Sequence, residues 1–220
     1  MRRSEAIERI KRVGIIPALR SSKTDEAARA TEAILSGGIP IVEISLAMPN
    51  ALAVLEGVAK RLGDRVVVGA GTVVTADEVE SASGAGAQFI VTPGFDLNIV
   101  HAALKLELAI FAGALTPTEV QAASASGADA VKLFPCYAAG GPRYLKSLRS
   151  QYPQTDLIAS GGVSLDNCSD YIRAGAWALG VGGEIADSGS SASGDQRLFT
   201  IRARRFVEAV QGARALWVHA

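Results

Sequence analysis

Eight short, nearly continuous apolar runs punctuate the chain: GIIPALR (14–20), IVEISLA (41–47), VVVGAGTV (66–73), FIVTPGF (89–95), LAIFAGA (108–114), AVKLFP (130–135), DLIASGGV (156–163) and ALGVGGE (178–184). Runs of this length, apolar on both faces, suit buried parallel strands better than half-exposed antiparallel ones. Helix-like segments separate them. Thr24-Asp25-Glu26 gives a polar start to a stretch with Ala, Ile and Leu at helical spacing that ends at Gly37-Gly38. Thr75 and Thr116 are each followed three positions later by a glutamate, Glu78 and Glu119, the pattern of a capping box. Pro117 falls where a first helical turn tolerates proline. The phrases SGGIP (36–40), SGAGAQF (83–89), SGADAV (126–131) and RAGAWAL (173–179) read as helix-to-strand turns, with glycine free to take the left-handed conformation that ends a helix.

Eight strand-plus-helix units in alternation imply a parallel sheet with right-handed crossovers. Eight is the number that closes a barrel, so the expected fold is α/β, a (β/α)8 TIM barrel, with residues 1–220 as a single domain. A doubly wound open sheet is the alternative; no Gly-x-Gly-x-x-Gly fingerprint follows the first strand. The Ser/Gly-rich stretch Ser188–Gly194 reads as a flexible loop before a last helix at about 195–214.

Composition narrows the function. The chain has 220 residues, 49% apolar and 20% charged, ordinary for a soluble enzyme. A formal net charge of zero gives no footprint for nucleic acid. The charged N-terminal stretch lacks the apolar core of a signal peptide, and no run is long enough for a membrane helix. Cys136 and Cys168 form neither a disulfide framework nor a metal cluster, so a reducing cytoplasm is expected. No carboxylate/His cluster has metal spacing, so no metal is expected, nor any cofactor.

In a barrel, chemistry sits at the C-terminal strand ends. Lys132 lies in the apolar body of the sixth strand, Ala130–Pro135, whereas lysines 11, 23, 60, 105 and 146 lie in polar, helix-like contexts. An ammonium buried without a partner tends to give up its proton, and a neutral amine is the nucleophile of Schiff-base chemistry. The alternative is a structural lysine paired with an acid. Alternation in the second strand puts Glu43 and Ser45 on one face and Val42, Ile44 and Leu46 on the other. Glu43 then points into the barrel, to shuttle protons beside Lys132 or to form a buried salt bridge with it. Arg20 ends the first strand, where its fork suits a carboxylate, or simply water. Thr72 ends the third strand beside two glycines that let a ligand approach, or form a routine turn. The seventh and eighth strands end in Gly161-Gly162 and Gly182-Gly183, the places where barrels often cradle a phosphate on backbone N–H groups. His101 and His219 carry no catalytic pattern, and Cys136 has no histidine near it. Trp177 and Trp217 read as packing.

With these residues in place, the chain resembles the 2-keto-3-deoxy-6-phosphogluconate (KDPG) and 4-hydroxy-2-oxoglutarate (KHG) aldolases. The resemblance rests on Pro17-Ala-Leu-Arg20, Val42-Glu-Ile-Ser-Leu46, Gly69-Ala-Gly-Thr-Val73, Phe89-Ile-Val-Thr-Pro-Gly94, Leu115-Thr-Pro-Thr-Glu119, Val131-Lys-Leu-Phe-Pro135, Gly141–Lys146 and Ser160-Gly-Gly-Val163. It implies a class I, metal-free aldolase, typically a homotrimer. Lys132 becomes the Schiff-base lysine and Glu43 the acid/base. Arg20 and Thr72 would hold the pyruvyl carboxylate, Pro93 and Phe134 would line the pocket, and Gly161, Gly162, Gly182 and Gly183 would form the phosphate cradle. The chain departs from the pattern in three places. Some members carry an arginine where this chain has Ala47, although those acting on the galactonate epimer also lack it. Many place a serine where this chain has Gly183, and a Pro-Gly where it has Ala112-Gly113. Two other readings compete: a phosphate-binding barrel of another reaction, such as an isomerase or a thiamin-phosphate-synthase-like transferase, and a catalytically silent binding barrel.

Overall fold

The structure is a computed structural model and describes residues 2–186 and 196–217. The strands are β1 (Ile15–Leu19), β2 (Ile41–Ser45), β3 (Val67–Gly71), β4 (Phe89–Val91), β5 (Ala109–Ala114), β6 (Ala130–Leu133), β7 (Leu157–Ser160) and β8 (Ala178–Val181). Every neighbouring pair is parallel, and β8 pairs back onto β1 through Ile16 and Gly180, so the sheet closes into a barrel in chain order. Closure decides against the open doubly wound sheet. The helices are α1 (Arg3–Val13), α2 (Thr24–Ser36), α3 (Ala51–Leu62), α4 (Ala76–Gly84), α5 (Leu97–Lys105), α6 (Pro117–Ala125), α7 (Pro142–Gln151), α8 (Cys168–Arg173), α9 (Gly183–Ala186) and α10 (Gln196–Trp217).

Local chemistry explains the boundaries. Thr75 and Thr116 each accept the backbone N–H of the glutamate three residues on, and Glu78 and Glu119 reach back to the cap, completing both capping boxes. Those reciprocal bonds satisfy donors that a helix start otherwise leaves open. Gly38, Gly86, Gly127 and Gly175 all take φ between 90° and 100°, so each helix-to-strand turn uses the left-handed conformation read from the sequence. The apolar run ending at residue 184 is strand only to Val181; Gly183 already begins α9. The N-terminal stretch forms α1, an element the strand pattern did not announce, and it buries Ala6 and Ile10, one helical turn apart. The stretch Ser188–Gly194 and His219 lie outside the described residues.

The barrel interior is a packed core, not a pore. Phe89 and Phe111 are fully buried with ring centroids 5.7 Å apart, and Phe111 meets Trp177 at 5.8 Å. Gly69 makes room for this: a Cβ there would sit 2.4 Å from the Phe89 ring. Arg214 of α10 donates to the carbonyls of Arg12 and Trp177, tying the last helix to the first and to the start of β8. Among the described residues no helix is long and apolar enough to cross a membrane.

Candidate active site at the barrel mouth

A cleft of ≈ 600 Å³ opens at the C-terminal ends of the strands. Arg20, Glu43, Thr72, Pro93, Lys132, Phe134, Gly161, Gly162, Gly182 and Gly183 all line it, so the fold gathers every residue singled out in the sequence from six of the eight strand ends and the loop after β4.

Lys132 is 9% exposed and Glu43 4% exposed, both in strands whose other faces are covered by helices. The alternation in β2 is as read: Glu43 and Ser45 face the cleft, while Val42 and Ile44 are fully buried against the outer layer. Among the described residues Lys132 and Glu43 make no ion pair with each other or with any other group. The salt-bridge alternative for the pair is therefore absent. The Lys132 amine instead lies 5.3 Å from the centre of the Phe134 ring, whose face attracts a cation. Lysines 11, 23, 60, 105 and 146 are exposed on or beside helices.

Glycines make the space the polar groups occupy. A Cβ on Gly71 would lie 1.8 Å from a Glu43 carboxylate oxygen, so the Glu43 side chain lies flat across β3 only because Gly71 has none. A Cβ on Gly113 would lie 2.4 Å from the backbone of Pro93 and Gly94. The loop carrying Pro93 therefore packs directly on β5, held by the Thr92 hydroxyl, which donates to the Gly94 carbonyl at 2.6 Å and accepts the Gly113 N–H at 2.8 Å. Thr72 sits at φ 60°, an unusual backbone for a β-branched residue, and its hydroxyl is 3.1 Å from that of Ser45. A non-glycine residue held there marks a position that the surroundings dictate.

Gly161 and Gly162 follow β7 at φ 82° and 79°, and a Cβ on either would strike the Phe134–Tyr137 segment. Asn167 shapes this turn by donating to the Gly162 carbonyl at 2.8 Å and accepting the Ser164 N–H at 2.9 Å. Gly182 and Gly183 face open space. Arg20 is exposed at the cleft rim, whereas Ala47 does not line the cleft.

Four polar residues of the lining, Ser45, Ser160, Ser164 and Glu184, were not named as candidates in the sequence. Ser45 and Ser160 were legible, because strand alternation puts them on the same face as Glu43 and Ile158. Ser164 and Glu184 follow strand ends, where no periodicity points. Cys136 is buried beneath the loop after β6, and burial pushes its thiol up to about 11, which leaves almost no thiolate near neutral pH. Among the described residues no three His, Cys, Asp or Glu side chains come together as a metal site.

Fold and cleft together define the class: a (β/α)8 barrel with an amine and a carboxylate buried at the mouth where barrel enzymes carry their chemistry. The family model described as "KDPG and KHG aldolase" matches residues 6–200, and the chain belongs to that aldolase family. It is 31% identical to the 2-dehydro-3-deoxy-6-phosphogalactonate aldolase of Escherichia coli over 198 residues, 90% of this chain and 96% of the relative. It is also 31% identical to the 2-dehydro-3-deoxy-phosphogluconate aldolase of Treponema pallidum over 165 residues, 75% of this chain and 78% of the relative. Among solved structures it resembles the KDPG aldolase of Legionella pneumophila with pyruvate captured as a covalent carbinolamine intermediate. The TM-score is 0.85 at 26% identity, covering 90% of this chain and 96% of that one.

Proposed function

We propose that the chain is a class I aldolase that cleaves 2-keto-3-deoxy-6-phosphogluconate, or a related 2-keto-4-hydroxy acid, to pyruvate and an aldehyde through a Schiff base on Lys132. The observation that carries this is a lysine amine in the barrel mouth, engaged in no ion pair or hydrogen bond among the described residues, in one cleft with an equally uncommitted Glu43.

The chemistry follows from the placement. The Lys132 amine attacks the C2 carbonyl carbon in its free-base form, the form with a lone pair to give, and the carbinolamine loses water to give an iminium. Glu43, directly or through a water, moves the protons this requires. It then takes the proton of the C4 hydroxyl. The C3–C4 bond breaks, its electrons pass into the iminium to give an enamine, and the aldehyde leaves. Protonation of C3 and addition of water release pyruvate and free the lysine. Arg20 and the Thr72 hydroxyl hold the substrate carboxylate, Pro93 and Phe134 bound its apolar face, and the N–H groups of Gly161, Gly162, Gly182 and Gly183 receive its distal end. For the phosphogluconate-derived acid the aldehyde is glyceraldehyde 3-phosphate.

A galactonate-type acid is a second reading. It is favoured by Ala47, which leaves the carboxylate to Arg20, and by the likeness to the E. coli phosphogalactonate aldolase. Family resemblance further suggests a homotrimer, checked by a solution mass of three chains. The aldolase reading is tested by borohydride reduction with pyruvate: one substrate-derived mass on Lys132 supports it, and labelling of another lysine, or none, overturns it.

A further inference from the structure

Among the described residues, the ionisable side chains lining the cleft are two cations, Arg20 and Lys132, and two carboxylates, Glu43 and Glu184. On the aldolase reading, on which this inference rests, three of them have work at the carboxylate end: Lys132 and Glu43 at C2 and C4, Arg20 at the pyruvyl carboxylate. Glu184 is left over. It immediately follows Gly182 and Gly183, is exposed, and has no hydrogen-bond or ion-pair partner among the described residues. Strands β7 and β8 are neighbours, paired through Ser160 and Gly180, so Glu184, the residue after the β8 glycines, shares one end of the cleft with the β7 glycines.

A terminal phosphate would be a dianion placed beside this carboxylate. Among the described residues no cation other than Arg20 and Lys132 lines the cleft to offset the repulsion. The glycines offer only backbone N–H groups, and Ser160 and Ser164 are neutral. A hydroxylated, uncharged chain end fits the same surroundings without penalty: its O–H groups donate to Glu184, and its oxygens accept from the glycine N–H groups. Discrimination of this kind works by repelling the wrong ligand as much as by attracting the right one.

We propose that Glu184 sets the substrate class at the distal end, disfavouring a terminal phosphate, so that the chain cleaves unphosphorylated 2-keto-3-deoxy sugar acids at least as efficiently as their 6-phospho counterparts. The test compares kcat/KM for 2-keto-3-deoxygluconate and 2-keto-3-deoxy-6-phosphogluconate in the wild type, Glu184→Gln and Glu184→Ala. The wild-type ratio, phosphorylated over unphosphorylated, is expected at or below about one. Both variants raise it about tenfold, the scale of one like-charge contact at a partly solvated site, through a lower KM for the phosphorylated acid. Added salt raises the wild-type ratio and leaves the variants' ratios nearly fixed, because it screens the repulsion. A wild-type preference of a hundredfold for the phosphorylated acid, or a ratio that neither substitution moves, overturns the proposal. Pyruvate trapping on Lys132 is measured on the same preparations. Trapping with an unmoved ratio overturns the role of Glu184 alone, whereas failure to trap overturns the aldolase reading and this inference with it.

Discussion

Gly71→Ala is the most exacting test of how the cleft is built, because it adds one methyl group and removes no functional group. In the native geometry that methyl carbon would lie 1.8 Å from Glu43 Oε1, 2.3 Å from its carboxyl carbon and 2.5 Å from its Cγ. Ordinary contact begins near 3.4 Å, so the carboxylate has to retreat by about 1.6 Å, and a swing of the terminal group alone does not suffice because the Cγ is struck too. Gly71 does not have a positive φ, so alanine brings no backbone strain of its own. A misplacement of about 1 Å at a catalytic group can cost about a hundredfold in rate. Gly71→Ala is therefore expected to lower kcat by roughly 10²-fold, inside the roughly 10²–10⁴ range expected for Glu43→Gln, which removes the proposed base outright. Overpacking should cost about 1–3 kcal/mol of stability, a fall in Tm of roughly 2–4 °C per kcal/mol for a chain of this size. The assays are steady-state pyruvate release, borohydride trapping and a thermal melt. A folded Gly71→Ala protein with near-wild-type kcat would show that the position of Glu43 does not matter, and would remove it from the proposed mechanism.

Lys132→Ala should abolish both trapping and cleavage while leaving the melt cooperative; residual cleavage above background would refute its role. Gly113→Ala drives a methyl carbon to 2.4 Å from the Pro93–Gly94 backbone, which cannot yield as a side chain can, so stability should fall by about 1–3 kcal/mol by denaturant titration. Thr72→Val keeps the shape but removes the hydroxyl paired with Ser45, and should raise KM for the keto acid more than it lowers kcat; an unchanged KM would count against a carboxylate contact. Glu119 is held below the usual glutamate range by hydrogen bonds from the Thr116 and Leu115 backbone N–H groups. Its stabilisation is therefore fully present above the ordinary glutamate pKa and is lost as pH falls through the depressed value. Glu119→Ala should cost about 1 kcal/mol at pH 7 by denaturant titration, a gap that closes on acidification.

Much of this protein follows from sequence alone. Eight apolar runs separated by helical stretches, with glycine at each of four helix-to-strand turns, specify alternating units because period, capping and left-handed turns are local properties. The exceptional placement of Lys132 and Glu43 was equally legible, since a charged residue inside an apolar strand stands out against its neighbours. Closure was not. It depends on β8 meeting β1, 163 residues apart from Ile15 to Ala178, and no local pattern encodes a contact that long. Nor could sequence show that Lys132 and Glu43 sit in one cleft without forming a salt bridge, or that Gly71 and Gly113 are glycines because the Glu43 carboxylate and the Pro93 loop cross directly over them. Glu184 shows the same limit. Beside two glycines in the chain it is an unremarkable surface acid. Only the pairing of β7 with β8 brings it into one cleft with Gly161 and Gly162, which is the placement on which its proposed effect on the substrate rests.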